Sequence, residues 1–224
     1  MKLLEVCCGN LESVHAAVRG GAQRIELCRA LELDGLTPSW EDLKEARRLY
    51  PGLTIHVLIR PRGGDFCYSA GEVRQMAQEI ETALSLGADG IVIGALTEKG
   101  DVDRELMAEL VAQVGGRASL TFHRAFDVCS NPFEALSVIE SLGFHRILTS
   151  GQAPSALEGT ELLRELQQRT SLTILPGGGV NANNARRILE RTGCTELHAS
   201  ASTTLMGRKV TDAKKVAAIL AATR

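Results

Sequence analysis

Aromatic residues make up only 4% of this 224-residue sequence, so any core must be mainly aliphatic. No apolar run approaches the roughly 20 residues that a membrane-spanning helix needs. There is also no block of lysine or arginine, and the formal net charge is -2. Binding to nucleic acid through phosphate neutralisation is therefore not expected. Because the sequence also lacks a linker or low-complexity segment, we expect one domain over residues 1–224, with no nucleic-acid or membrane partner.

The six cysteines form neither a Cys-x-x-Cys motif nor the framework of a small disulfide-rich domain. The N-terminal Met1-Lys-Leu-Leu-Glu-Val leads directly into a predicted strand that carries a glutamate, unlike a signal peptide. We therefore expect free thiols and a cytoplasmic location.

A helix that stops at glycine and is followed by a β-rich apolar run recurs along the chain, as in Leu142-Gly-Phe-His-Arg-Ile-Leu-Thr. The repeat is about 28 residues long and predicts an α/β fold, a single-domain (β/α)8 TIM barrel. The predicted strands are 3–8, 22–28, 53–60, 89–94, 117–124, 145–150, 172–176 and 195–200. A doubly wound sheet is the alternative, but Cys8-Gly9-Asn10 fits its Gly-x-Gly-x-x-Gly turn poorly.

Strand alternation predicts that many polar side chains face the inside of this barrel. A purely structural barrel would place valine, isoleucine and leucine there. Buried charges are costly unless they pair or do chemistry, so the interior is either a structural ion-pair network or a functional site. The predicted inward residues are Glu5, Cys7, Glu26, Cys28, His56, Leu58, Arg60, Thr121, His123, His198 and Ser200.

Four of the polar residues are candidates for acid/base catalysis: Glu5, Glu26, His123 and Asp127. His123 would move protons, Asp127 would orient it or act as a second carboxylate, and Glu5 and Glu26 could share a proton or a divalent metal ion. No lysine is predicted inside, which disfavours a Schiff-base aldolase.

Loops at the predicted carboxyl ends of the strands contain candidate anion-binding residues. Pro176-Gly-Gly-Gly-Val follows strand seven and Ser200 follows strand eight, the positions at which such barrels commonly hold phosphate. A glycine-containing loop after strand three adds two arginines, of which Arg60 is the stronger candidate by alternation. The candidate ligand-binding set is Arg60, Arg62, Gly178, Gly179 and Ser200.

Several of these motifs together resemble the CutC copper homeostasis family. The motifs are Leu4-Glu-Val-Cys, Gly20-Gly-Ala-Gln-Arg-Ile-Glu-Leu-Cys, Ile59-Arg-Pro-Arg-Gly-Gly-Asp-Phe, Phe122-His-Arg-Ala-Phe-Asp, Leu148-Thr-Ser-Gly and Pro176-Gly-Gly-Gly. The resemblance implies a single (β/α)8 barrel in the cytoplasm, a role in copper tolerance through copper binding, and a homo-oligomer, either a dimer or a tetramer.

Cu(I) prefers soft sulfur ligands, and Cys7 and Cys28 share an inward parity on adjacent predicted strands. Cys7 and Cys8 cannot readily chelate one ion, because neighbours in a strand face opposite sides. The first hypothesis is therefore a copper-binding protein that uses Cys7 and Cys28, with His123 a candidate third ligand. The alternative is a lyase- or isomerase-type enzyme that performs acid/base or metal-assisted chemistry on a small phosphorylated or carboxylated metabolite.

Overall fold

The computed structural model describes residues 2–205 and 207–224, and its centre is a barrel of eight parallel strands. The strands are β1 (Leu3–Cys8), β2 (Arg24–Leu27), β3 (Thr54–Leu58), β4 (Gly90–Ile93), β5 (Ser119–Phe122), β6 (Arg146–Thr149), β7 (Thr173–Pro176) and β8 (Glu196–Ala199). Each strand from β1 to β6 pairs with the next one, and β1 also pairs with β8. The barrel is nearly closed, with β7 and β8 at its two ends, and the predicted (β/α)8 fold is confirmed.

A helix follows each strand. The helices are α1 (Leu11–Arg19), α2 (Trp40–Leu49), α3 (Ala70–Ser85), α4 (Arg104–Val114), α5 (Pro132–Ser141), α6 (Thr160–Arg169), α7 (Ala185–Thr192) and α8 (Ala213–Ala222). Most of their starts are capped by side chains, as where Ser69 and Glu72 form a reciprocal capping box at α3. Among the helices of the described residues, none combines the length and apolar character that crossing a bilayer requires.

Between β8 and α8 the chain forms an antiparallel hairpin of β9 (Ser202–Leu205) and β10 (Arg208–Thr211). The sequence predicted only a loop here. The hairpin pairs β-branched residues, with Val210 opposite Thr203, and such residues suit extended structure. It carries Lys209 to the mouth of the barrel.

Strand alternation separates two packing regions, as the sequence predicted. Outward residues such as Leu4 and Val6 pack with the helices in a large aliphatic core. Inside the barrel, a much smaller apolar cluster consists of Cys7, Cys28, Leu58 and Val92. Most of the remaining interior is polar, so the fold gathers ionisable groups where a structural barrel has aliphatic ones.

Candidate functional site

Glu5 is fully buried inside the barrel and is surrounded by cationic or ionisable partners. Arg24 Nε donates to Glu5 Oε2 over 2.6 Å, and His198 Nδ1 lies 2.9 Å from Oε1. His56 Nδ1 is 3.2 Å from Oε2, although it is not aligned for a hydrogen bond. Burial raises the pKa of Glu5, but contacts with His198, His56 and Arg24 outweigh burial and leave that pKa well below its usual value. Glu5 is therefore a paired carboxylate, whereas the sequence analysis treated it as an acid/base candidate.

A second layer of charge lies at the N-terminal ends of the strands. Arg24 also pairs with Glu196, and Arg146 Nε lies 3.2 Å from the same carboxylate. Arg146 Nη1 in turn donates to Ser119 Oγ over 2.6 Å. Sequence reasoning missed this layer. Arg24 and Glu196 each precede a predicted inward residue by two positions, so the same alternation could have found them.

Three potential metal-ligating side chains lie together on the side of this layer that faces the carboxyl ends of the strands. A thiol sulfur of Cys7, a carboxylate oxygen of Glu26 and an imidazole nitrogen of His198 lie within 4.8 Å of one another. Cys28 Sγ is 3.5 Å from Cys7 Sγ. Because Glu5 contacts Nδ1 of His198, the other ring nitrogen, Nε2, is left on the side of Glu26, whose Oε1 is 4.0 Å away. A carboxylate that orients an imidazole in this way is typical of metal sites.

The surroundings raise the pKa of each of these three side chains. The hydrogen bond with Cys28 and burial raise the pKa of the Cys7 thiol well above its usual value. Burial also raises the pKa of Glu26. Burial opposes the charged form of His198, but Glu26, Cys7 and Glu5 outweigh it and raise the pKa of His198 well above its usual value. The site thus stabilises a cation at the His198 ring.

His123 is buried and stands apart from the paired carboxylate. Its Nδ1 accepts a hydrogen bond from the backbone N–H of Ala125 over 3.1 Å, which assigns the proton of the neutral ring to Nε2. Nε2 has no hydrogen-bond partner among the described residues. Burial, with a further contribution from the charge of Arg60, lowers the pKa of His123 to about 3. His123 is therefore a neutral hydrogen-bond donor at neutral pH.

Two glycines of the β4 region make room for histidine rings from the neighbouring strands. A Cβ atom added at Gly90 would overlap the ring of His56. One added at Gly94 would lie 2.6 Å from His123 Nδ1, closer than real Cβ contacts. The glycines therefore explain how a small barrel holds bulky polar rings, and they were not singled out from the sequence.

The site opens into a cavity of about 570 Å³ at the carboxyl ends of the strands. Its volume lies within the range of about 300–1,000 Å³ that is usual for small-molecule pockets. It brings together most of the candidate residues and adds others from the surrounding loops. The polar and glycine residues that line it are Cys7, Glu26, Asp34, Arg60, Gly64, His123, Arg124, Asp127, Gly178, Gly179, His198, Ser200 and Lys209.

The two arginines of the loop after β3 differ in their placement. Arg60 lines the cavity, but its Nη atoms donate to the carbonyl oxygens of Leu33, Gly35 and Gly64. Its Nε has no hydrogen-bond partner among the described residues. Arg62 is not among the described residues that line the cavity. Its guanidinium instead pairs with Asp65 and Glu72 and so stabilises its own loop.

Asp127, predicted to orient His123 or to act as a second carboxylate, makes its hydrogen bonds with other residues. Its carboxylate accepts hydrogen bonds from Thr149 Oγ1 over 2.5 Å and from the backbone N–H of Ser150 over 2.9 Å. It also pairs with Arg124 Nε over 2.6 Å. Asp127 therefore fixes the loop after β6 and holds Arg124 at the mouth. Arg124 was missed, although it lies in the motif that contains His123 and Asp127.

These features define a parallel (β/α)8 barrel with a buried dithiol beside a carboxylate-oriented imidazole at its mouth. Residues 2–203 match the model of the CutC family, so the chain belongs to the CutC family, and the resemblance inferred from the motifs is confirmed.

Relatives from distant organisms support the assignment. A family protein CutC of Bacteroides fragilis is 49% identical over 201 residues, which cover 89% of this chain and 80% of that protein. The human copper homeostasis protein cutC homolog is 47% identical over 204 residues, which cover 90% of this chain and 74% of the human protein. The solved structure of a CutC protein from Streptococcus agalactiae superposes with a TM-score of 0.85 at 34% identity and covers 89% of this chain and 99% of that one.

Other solved barrels are similar in fold alone. Thiamine phosphate pyrophosphorylase from Pyrococcus furiosus superposes with a TM-score of 0.65 at 18% identity, over 99% of this chain and 95% of that one. At that identity the likeness extends to the barrel architecture and no further.

Proposed function

We propose that this protein acts in copper homeostasis by binding Cu(I) at Cys7 and Cys28. The names of the human and mouse relatives, copper homeostasis protein cutC homolog, support the physiological role. The chemistry of the site supports the ion, because thiolates are the soft ligands that Cu(I) prefers.

The observation that carries this proposal is the distance of 3.5 Å between the Cys7 and Cys28 sulfur atoms. Both cysteines are buried, and Cys7 also lines the cavity, so an ion has a route to the pair. Two thiols that give up their protons would supply two negative sulfur ligands, and metal binding would release those protons.

His198 is the third ligand that we favour, in place of His123. The His198 ring belongs to the cluster with Cys7 and Glu26, and Glu5 contacts its far nitrogen. No contact joins His123 to either sulfur atom in the described part of the chain. Glu26 adds a harder oxygen donor, and a Cys/Glu/His set also suits a divalent ion such as Zn²⁺. A competing divalent metal is therefore part of the test.

We place this function in the cytoplasm. All six cysteines are free thiols in the structure, and Cu(I) binding through thiols needs a reducing compartment.

The test is an anaerobic titration of the reduced protein with Cu(I) against a chromophoric Cu(I) chelator, repeated with Zn²⁺. We expect about one equivalent of Cu(I), bound more tightly than Zn²⁺. Cys7→Ser and Cys28→Ser should each weaken Cu(I) binding by at least tenfold. Cys67→Ser is the matched control, because Cys67 lies outside the barrel interior, and it should bind like the wild type. Unchanged affinity in the Cys7→Ser/Cys28→Ser double variant would rule out this site.

A second candidate function is lyase- or isomerase-type chemistry on a small phosphorylated or carboxylated metabolite. The observation that favours it is the Nε2–H donor of His123, which has no acceptor among the described residues. His123 lines a cavity that is much larger than a metal ion requires. A neutral imidazole of this kind can donate to an oxyanion that develops on a substrate. The test is to follow a panel of such metabolites by NMR. Turnover should fall at least a hundredfold in His123→Gln, and no turnover of any metabolite would leave copper binding as the function.

A further inference from the structure

We infer that the mouth of the barrel binds a small phosphate monoester between the glycine loop after β7 and the side chain of Arg124. This inference does not depend on copper binding, because none of the residues that it uses is a proposed copper ligand.

The glycine loop after β7 contains backbone N–H groups that make no hydrogen bond within the described chain. Gly177 N–H donates to Thr149 O over 2.9 Å, and Asn181 N–H donates to Asn184 Oδ1 over 2.8 Å. Within residues 2–205 and 207–224, the three amides between them, those of residues 178–180, have no hydrogen-bond acceptor. All three residues line the cavity.

The carbonyl groups of the same loop are bonded. Gly178 O accepts from Ala156 N–H over 2.9 Å, and Gly179 O accepts from the side-chain amides of Asn181 and Asn184 over 3.0 and 2.9 Å. The loop is thus held through its acceptors while its consecutive donors stay free. Consecutive free amides form the anion-binding concavities known as nests.

The backbone conformation of this loop requires glycine. Gly178 and Gly179 have φ angles of +96° and +72°, which lie in the left-handed region. A Cβ atom at position 178 would also lie 3.3 Å from Ser150 Cβ and 3.7 Å from Arg124 Cζ. The guanidinium of Arg124 therefore lies directly against the loop that carries the free amides.

Arg124 keeps part of its guanidinium available. Asp127 holds its Nε over 2.6 Å, and Nη2 makes one long contact of 3.4 Å with Ser150 Oγ. Nη1 has no acceptor within the described chain, and the side chain is 45% exposed. Lys209 of the hairpin is an exposed second cation that lines the same cavity.

Asp127 is the only carboxylate on this wall among the described residues that line the cavity. The charge of Asp127 is satisfied by its own bonds. Glu26 and Asp34 come from β2 and the loop after it, and β2 lies across the barrel from β6. The wall formed by the β5, β7 and β8 loops therefore presents positive charge and free amides.

This arrangement fits a phosphate monoester better than a carboxylate. A phosphate offers three terminal oxygens and close to two negative charges, which suit three free amides, the free Nη1 of Arg124 and the ammonium group of Lys209. The cavity has a volume of about 570 Å³, which leaves room for the organic part of the molecule.

The test measures binding of glycerol 3-phosphate and inorganic phosphate to the full chain by titration calorimetry, with glycerol as the phosphate-free control. We expect saturable binding of glycerol 3-phosphate, weaker binding of phosphate and none of glycerol. Arg124→Gln should weaken binding about tenfold, as expected for a lost charge-assisted hydrogen bond. Arg117→Gln is the matched control, because Arg117 makes a similar pair with Glu81 outside the cavity, and its affinity should not change.

Two further measurements distinguish loss of the anion site from loss of folding and from loss of the copper site. Lys209→Gln changes an exposed side chain and should weaken binding while preserving the melting temperature. Arg124→Gln should still bind one equivalent of Cu(I), so failure of the anion site and failure of the copper site are distinguishable. Absence of saturable glycerol 3-phosphate binding, or equal loss in Arg117→Gln, would overturn the inference.

Discussion

At the residue scale, Glu5 organises the barrel interior. It is fully buried and bonds to Arg24 and His198, so its charge is compensated on two sides. Removing one partner of a buried ion pair costs more than the pair contributes, because the other charge is left uncompensated. The same carboxylate fixes the orientation of the His198 ring.

Glu5→Gln is therefore expected to affect both stability and metal binding. We expect the free energy of unfolding to fall by about 3–5 kcal/mol, because Arg24 loses its buried partner. We expect Cu(I) affinity to fall by about 10–100-fold, because the imidazole is no longer oriented. Denaturant unfolding and chelator competition measure the two effects. Glu45→Gln, which breaks an exposed pair with Arg48, should change neither, and a wild-type profile for Glu5→Gln would contradict the structural role.

His123 gives the protein a specific sensitivity to acid. Its folded pKa of about 3 lies below its unfolded value of about 6.5, so the unfolded state binds the additional proton between these values. Stability from this residue is complete above about pH 6.5 and is lost as the pH falls. The stability difference between the wild type and His123→Gln should shrink by about 1.4 kcal/mol per pH unit between pH 6 and 4. Parallel unfolding profiles for the two proteins across this range would show that His123 is not buried as a neutral ring.

At the scale of elements, the sequence predicted the order and number of the barrel strands but not their exact limits. Observed strands are often shorter than predicted, as with Arg24–Leu27 inside the predicted 22–28, because apolar runs continue past the last ladder hydrogen bonds. The β9–β10 hairpin was missed because its polar residues resemble a loop. Alternation placed Glu5, Cys7 and His198 inside correctly. It could not predict that Asp127 would bind the loop after β6, since that contact depends on long-range packing.

The fit between the β4 region and its neighbours can be tested with Gly94→Ala. The new methyl group would lie 2.6 Å from His123 Nδ1 and 2.7 Å from Cε1, so the ring must move. We expect a loss of about 1–3 kcal/mol in unfolding free energy, typical of an overpacked core. Gly52→Ala is the control, because a Cβ atom there meets nothing within 4 Å. Equal stability of Gly94→Ala and wild type would mean that the His123 pocket is looser than the structure shows.

At the scale of the whole molecule, the barrel gathers two kinds of polar group at one end. Sulfur and imidazole groups from β1, β2 and β8 lie together in the barrel interior, and glycine amides and cations from the loops after β5, β7 and β8 line the cavity. Parallel strands bring their carboxyl ends to one face, which is why residues distant in sequence meet there. The homo-oligomer implied by the family resemblance stays a prediction, which sedimentation at two or four times the monomer mass would support.

The central claim is that two thiolates and one imidazole of this barrel bind Cu(I). The most direct measurement is copper K-edge X-ray absorption of the protein loaded with one equivalent of Cu(I) under reducing conditions. The account predicts two sulfur scatterers and one nitrogen scatterer, with the nitrogen lost in His198→Ala and the sulfurs lost in Cys7→Ser/Cys28→Ser. A first shell without sulfur, or one unchanged in the double cysteine variant, would contradict it.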